Sequence, residues 1–167
     1  MKDSNTRVYK QDHGDGLYRR SLYTFWKRVA PPPSLEILNA PSREVACTRR
    51  DHTDTPLQAF VTLNDPQFIE ASRALAARAL KAQNDFDHRL DYISEALLAR
   101  TFSPKERPVI RKLHDRALSG YEQDPQAAEA LVAVGESKSP DGIPPKELAA
   151  WTVVASEIMN LDECLTK

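Results

Sequence analysis

Apolar residues recur at helical spacing along most of the chain, and prolines preceded by a capping residue divide this pattern into segments. Thr55 before Pro56 and Asp65 before Pro66 each place a side-chain oxygen beside a proline that suits the first helical position. Because a residue before proline avoids the α region, a helix begun at Pro56 is predicted to end near Asn64, and a second begins at once. The residues predicted to face inward are Leu57, Phe60 and Val61 in the first helix and Phe68, Ser72, Leu75 and Ala79 in the second.

Similar signals continue to the C-terminus. Asp85 can cap a helix to about Arg100. Ser103 and Glu106 have the spacing of a capping box, before a helix whose regular part begins near Arg107 because of Pro108. Asp124 and Pro125 open a further helix over 126–134, which Gly135 is predicted to end in the left-handed conformation. The last helix, over about 146–161, is apolar on two adjacent stripes and should be the most buried. Other predicted inward residues are Phe86, Leu90, Ile93, Leu97, Val109, Ile110, Leu113 and Ala117, while His88 and His114 are placed on helix surfaces.

The N-terminal third has a different pattern. Residues 1–16 are polar and rich in turn formers, and we expect a disordered start or a linker there. Tyr18, Leu22, Phe25, Trp26 and Val29 share one face of a predicted amphipathic helix, which the prolines at 31–33 end, and Ser34 caps a short turn to Leu38. The predicted fold is therefore all-α: residues 17–167 form one domain of about six helices, packed as an irregular bundle, with a Pro- and Arg-rich loop segment near the N-terminus.

Charge is distributed unevenly along the chain. Residues 17–50 hold seven basic and two acidic side chains, whereas residues 51–167 hold 13 basic and 19 acidic ones. A basic segment joined to an acidic body favours self-docking or an anionic partner over nucleic acid. No apolar run approaches the length of a membrane span, and the first 16 residues lack the apolar core of a signal peptide. Cys47 and Cys164 are far apart and belong to no haem or zinc motif, so we expect no cofactor, and the sequence favours free thiols over a disulfide between them.

Six short motifs follow one another along the chain. They are the segment from Tyr18 to Arg28, the Pro31-Pro-Pro-Ser-Leu35 run with Ala40-Pro41 and Arg43-Glu44, the segments Thr53–Ala59 and Leu63–Pro66, Ala133–Ser137, and Glu147–Ser156 with Asn160–Glu163. In order and spacing these motifs resemble the planctomycete PSD-one domain. The resemblance extends from about Leu17 to the end and suggests the C-terminal portion of that domain. Asn39 stands where the family usually has Asp.

The resemblance implies a setting rather than a reaction. The family is a domain of unknown function in exported bacterial proteins that carry a c-type cytochrome domain upstream, often with carbohydrate-binding modules. It implies a periplasmic or extracellular location, with haem c only in an upstream domain. No catalytic residue is established for the family, so none is assigned here.

Arginines and aromatic residues form the main candidate site. Planar guanidinium groups bind carboxylate, sulfate or phosphate through two hydrogen bonds, and aromatic rings stack on sugars. The predicted anion-binding or docking cluster comprises Arg19, Arg20, Arg43, Arg49, Arg50, Tyr23 and Trp26. The alternative is that these arginines pair with acidic groups of the body and hold the loop in place.

A metal site is a weaker hypothesis. Asp51, His52 and Asp54 offer three ligand side chains within four residues, but a solvated loop before a helix start accounts for them equally well. We therefore expect no metal.

The function that the sequence favours is a non-catalytic C-terminal module that packs against upstream domains. The alternative is that its arginines contribute to a carbohydrate- or anion-binding site, in glycan degradation, completed by those domains.

Overall fold

Helices make up all the regular secondary structure in the described residues, and no strand occurs among them. The computed structural model describes residues 8–27, 29–42, 44, 46–49 and 53–165. Within these ranges there are two 3₁₀ turns, Gly14–Gly16 and Ser21–Tyr23, and eight α-helices. The helices are α1 Pro33–Ile37, α2 Pro56–Asn64, α3 Pro66–Ala82, α4 Phe86–Leu98, α5 Arg107–Gln123, α6 Pro125–Val132, α7 Pro145–Met159 and α8 Asp162–Leu165. The prediction of an all-α fold is confirmed.

The chain divides into two compact units, Met1–Val61 and Thr62–Lys167. We call them the N-terminal unit and the C-terminal unit. The boundary falls inside α2, so this helix contributes residues to both. The predicted domain division after residue 16 stays a prediction.

The C-terminal unit is built around α7. This helix packs against α3, α5 and α6, while α4 lies against α3 and α8 against α4 and α7. Its side chains Leu148, Trp151, Val154 and Ile158 are buried, as are the alanines between them. A helix that is apolar on nearly all sides needs neighbours on all sides, and the prediction that α7 is the most buried element is confirmed.

Most helix ends follow the predicted capping chemistry. Asp65 accepts a hydrogen bond from the backbone N–H of Gln67, Asp85 from that of His88, and Asp124 from that of Ala127. The carboxylate of Glu106 accepts the backbone N–H of Ser103 at 2.7 Å, and α5 begins at Arg107 as expected. A small difference is α1, which begins at Pro33 without a side-chain cap, so Ser34 does not have the predicted role.

The largest error concerns residues 18–29. No α-helix forms in the described part of this segment, which contains only the turn Ser21–Tyr23, with extended backbone at Arg20 and Thr24. The predicted inward-facing residues Leu22, Phe25 and Val29 are 74%, 68% and 70% exposed. A short helix is marginal unless packing covers its apolar face, and the aromatic and β-branched residues here are weak helix formers.

The predicted inward face of α2 is also wrong. Leu57 and Phe60 are 55% and 63% exposed, whereas Gln58 is buried. The Gln58 side chain accepts the Thr55 backbone N–H at 2.9 Å and donates to the Ile37 carbonyl at 3.0 Å. A buried amide loses its hydrogen bonds to water, and these two hydrogen bonds replace them. The side of α2 that carries Gln58 is therefore the buried one.

Two further predicted positions differ in α5. Val109 is 69% exposed, and His114, expected on the surface, is buried. The His114 side chain points into the core, where its ring stacks on other aromatic rings. His88 is exposed, as predicted. No helix within the described residues is long and apolar enough to cross a membrane.

Candidate functional site

The predicted arginine cluster lies in the N-terminal unit, and the structure brings only part of it together. Arg19, Arg20 and Tyr23 are exposed and lie at or beside the turn Ser21–Tyr23. The Arg20 guanidinium carbon is 5.8 Å from the centre of the Tyr23 ring, within the range of a cation–π contact. Trp26 is half-buried.

The remaining members of the cluster lie on the loop that follows. Arg49 is exposed, and its carbonyl accepts a hydrogen bond from the Cys47 thiol at 3.2 Å. Among the described residues, no hydrogen bond or ring contact links Arg49 with Arg19 or Arg20. Arg43 and Arg50 lie outside the described residues. The geometry therefore supports an Arg20–Tyr23 pair flanked by Arg19, and leaves the larger cluster a prediction.

We call residues 17–30 the arm. Five of its large apolar side chains are more exposed than buried, with Tyr18 at 56%, Leu22 at 74%, Tyr23 at 60%, Phe25 at 68% and Val29 at 70%, whereas Leu17 and Trp26 are half-buried. From residue 16 to residue 35 the sequence has four basic side chains and no acidic one. The arm thus presents rings and aliphatic groups together with positive charge, which is the chemistry of a binding surface rather than of a core.

The proposed metal ligands are only partly described. Asp54 is exposed, whereas Asp51 and His52 lie outside the described residues. In the part of the chain that the structure describes, no group of three or more His, Cys, Asp or Glu side chains has a geometry suited to a metal ion. The expectation of no metal at residues 51–54 stays a prediction.

A buried ion pair in the C-terminal unit was not predicted from the sequence. Glu70 and Arg73, one turn apart on α3, are 4% and 2% exposed. Glu70 accepts the backbone N–H groups of Glu136 and Ser137, both at 2.9 Å. Arg73 donates to the carbonyls of Val132, Val134 and Ser137 and to the Ser137 hydroxyl.

We call Glu70 and Arg73 the clamp, because they hold the loop 132–137 by its backbone. At Gly135, φ is +95°, and an added Cβ would overlap the Glu70 side chain. The clamp therefore requires glycine at this position for two independent reasons. A Glu and an Arg at i and i+3 resemble an ordinary surface pair in sequence, so the only available signal was the predicted left-handed Gly135.

A second buried polar group is the imidazole of His114. Its ring centre lies 4.8 Å from that of Trp151 and 5.3 Å from that of Phe86. Nδ1 is 3.1 Å from the Asp115 carboxylate, while Nε2 is buried and has no hydrogen-bond partner among the described residues. The Arg111 guanidinium covers the Phe86 ring at 3.8 Å. The imidazole therefore packs as part of the core, against the rings of Phe86 and Trp151.

Ion pairs link the helices of the C-terminal unit at its surface. Arg100 makes paired hydrogen bonds to Glu163, both at 2.7 Å, and to Glu106 at 3.1 and 3.3 Å. The hydroxyl and the backbone N–H of Ser103, together with Arg100, lower the pKa of Glu106 to about 2. Arg107 binds Asp87 and Asp91. Arg100 and Arg107 already bind carboxylates of the same unit. Unlike the arginines of the arm, they are therefore not candidates for binding an external anion.

Two surface grooves lie on the C-terminal unit. The first, of about 300 Å³, lies between the α2–α3 junction, α6 and α7, and has Glu157 at its rim. The second, of about 410 Å³, is bordered by Tyr121, prolines of α6 and α7, and the Lys146–Glu122 ion pair at 2.8 Å. Burial raises the pKa of Tyr121.

The comparisons with known proteins give one family. The family model described as PSD1, protein of unknown function (DUF1553), matches residues 1–114. The chain belongs to this family. The PSD1 match includes the N-terminal unit and α3 and α4, and it ends inside α5. The motifs at 133–137 and 147–163 lie beyond it. No curated protein and no solved structure matches the chain.

Proposed function

We propose that this PSD1 chain is a non-catalytic helical module whose arm docks onto other domains of an exported, cytochrome-c-associated bacterial protein. The exposure of the arm is the observation that carries the proposal. The export and the upstream cytochrome domain come from the sequence resemblance, and with them a periplasmic or extracellular location. Haem c would belong to the upstream domain, and no cofactor is proposed for this chain.

The composition of the arm suits a protein interface. Arg, Tyr and Trp are the residues most enriched among those that dominate binding energy, whereas Lys is depleted at interfaces. The arm combines Arg19, Arg20, Tyr18, Tyr23 and Trp26, and the amino group of its one lysine, Lys27, donates to the Val8 carbonyl at 2.9 Å. Exposed apolar patches of this kind on soluble proteins mark binding sites.

The chemistry of the C-terminal unit supports a non-catalytic role. Its buried ionisable groups make structural contacts: the clamp binds a loop, and the His114 ring packs against those of Phe86 and Trp151. The exposed His88 is paired with the capping carboxylate of Asp85. These side chains have structural roles in the folded chain, which leaves the surfaces as the parts that interact.

The test is binding to the upstream domains of a family member in which a haem-attachment motif is encoded in frame. Leu22→Ser with Phe25→Ser should reduce the binding at least tenfold, as should Arg19→Ala with Arg20→Ala at low salt, where charge contacts count most. Val109→Ser is the matched control, because Val109 is 69% exposed on the C-terminal unit. Equal binding by all variants would refute docking through the arm.

A second candidate function is binding of an anionic or neutral glycan by the arm, which the Arg20–Tyr23 contact favours. A guanidinium beside an exposed ring can bind a sulfate or carboxylate while the ring stacks on the sugar. Titration with a sulfated oligosaccharide distinguishes the two functions. Loss of glycan binding in the Arg19→Ala, Arg20→Ala variant, with unchanged binding to the upstream domains, would establish the glycan function in place of docking.

A further inference from the structure

The groove of about 300 Å³ on the C-terminal unit has apolar walls and an acidic rim. Leu63, Ile69, Leu131 and Val153 form the walls, and each is only half-buried. A volume of this size suits one or two large side chains and is at the lower limit for a small-molecule ligand. The groove therefore fits the side chains of a peptide segment better than a cofactor.

Charge at the groove is negative. Glu157 stands at its rim and is exposed, and no lysine or arginine is among the residues that line it. Among the described residues no cation lies within ion-pair distance of the Glu157 carboxylate. This distinguishes Glu157 from Glu147 and Glu163, which are paired with Arg89 and Arg100. An incoming segment with a basic residue beside an apolar one would complement both features.

We infer that this groove is a docking site for the arm of a second copy of this chain. The arm has the matching chemistry: Leu22 and Phe25 are exposed, Arg19 and Arg20 precede them, and no acidic residue occurs between residues 16 and 35. If each copy places its arm in the groove of the other, the two contacts are equivalent and close a two-fold dimer. The inference rests on the proposed function in taking the arm as an interaction surface.

The same arm would then have two mutually exclusive partners. When the arm is docked on another domain, it is not available to a second copy, so binding to the upstream domains should dissociate the dimer. Self-association is thus expected of the chain alone and should disappear in the complex.

The experiment is sedimentation velocity of the full chain over a range of concentrations. We expect a monomer–dimer equilibrium that weakens about tenfold in Glu157→Lys, because an attraction becomes a repulsion, and by a similar factor in Phe25→Ser. The controls are Glu95→Lys, which makes the same charge change at an exposed position of α4, and Val109→Ser. Both should remain within twofold of the unmodified chain.

A labelled synthetic peptide of residues 17–30 gives a second measurement. It should bind the full chain, bind Glu157→Lys about tenfold more weakly, and dissociate the dimer in competition. A chain that is monomeric at every concentration, or a dimer that Glu157→Lys does not weaken, overturns the inference. So does a peptide that binds both chains equally. In each case the proposed function stands if the arm variants still lose binding to the upstream domains, and it fails separately if they do not.

Discussion

Large apolar side chains are buried in the C-terminal unit, whereas several of them are exposed in the N-terminal unit. Leu90 and Trp151 in the C-terminal unit are 0% and 1% exposed, whereas Leu22 in the N-terminal unit is 74% exposed. Both units carry apolar residues at helical spacing, but in the described part of the chain a central helix with neighbours on several sides, α7, occurs in the C-terminal unit alone. The comparison shows that periodicity becomes a helix where another element covers the apolar face, and stays irregular where none does.

The polar residues differ in the same way. The clamp of the C-terminal unit is buried and bonded to backbone groups, whereas Arg19 and Arg20 are exposed. A buried guanidinium cannot be removed without leaving its partners unsatisfied, but an exposed one can. Stability should therefore depend on the arginine of the C-terminal unit, and recognition on those of the N-terminal unit.

The largest expected effect is that of Arg73→Ala. It leaves three loop carbonyls without their donor and removes the cation that lies 3.9 Å from the Glu70 carboxylate, and we expect a loss of about 3–5 kcal/mol in the free energy of unfolding. Arg19→Ala should change it by less than about 0.5 kcal/mol. Urea unfolding followed by circular dichroism measures both. Equal, small effects would mean that the clamp is no more important than a surface pair.

Leucine substitutions compare the apolar sides of the two units. Leu90→Ala removes a fully buried side chain from the core of the C-terminal unit and should cost about 2–5 kcal/mol. Leu22→Ala should cost less than about 0.5 kcal/mol, because the side chain is already in solvent. Thermal unfolding of both variants checks this. Measured on the dilute monomer, a large loss in Leu22→Ala would show that the rest of the chain covers the arm and would contradict its role as an interaction surface.

Glycine substitutions separate backbone strain from steric overlap within the clamp. Gly135 and Gly142 have φ of +95° and +83°, but only at Gly135 would an added Cβ overlap a neighbour, the Glu70 side chain. Gly142→Ala should therefore cost about 1 kcal/mol from strain alone, and Gly135→Ala more than about 2 kcal/mol. If the two costs were equal in urea unfolding, Glu70 would have room to move and the clamp would be loose.

The smallest effect concerns the exposed ion pairs. The pKa of Glu106 is lowered to about 2 from a reference value of 4.5, so its ionised form favours the folded state. That contribution is present above pH 4.5 and is lost as the pH falls toward about 2. The difference in urea midpoint between the unmodified chain and Glu106→Gln should shrink on acidification, and it should be smaller in high salt. A difference that is independent of pH would contradict this assignment.

Much of the fold could be predicted from the sequence because capping is local. Asp65, Asp85 and Asp124 bond to N–H groups two or three residues away, so a short window of sequence contains the whole interaction. Long-range partners cannot be found in this way. Glu70 and Arg73 bond to residues more than 58 positions away, and His114 stacks on Trp151.

For the candidate site, less could be predicted from the sequence than for the fold. Its residue types were evident from the sequence, but their arrangement was not, because the helix predicted for residues 18–29 does not form in the described residues. Gln58 illustrates a missed local signal: Thr55 and Gln58 form a reciprocal capping box, with the Gln58 N–H donating to the Thr55 hydroxyl at 3.3 Å. With that motif recognised, the buried face of α2 would have been predicted correctly.

The clamp also sets where this chain can be divided. The family match ends at residue 114, but the loop that Glu70 and Arg73 hold begins at residue 132, and α7 lies further still along the sequence. A shorter chain that stops at the end of the match would contain Glu70 and Arg73 without the loop groups that they bind, and it would lack the central helix. The segment that matches the family and the segment that can fold therefore end at different residues. Truncation at residue 114 should give an unfolded or aggregated product, whereas a chain retaining residues 62–165 keeps the clamp, the loop that it binds and α7.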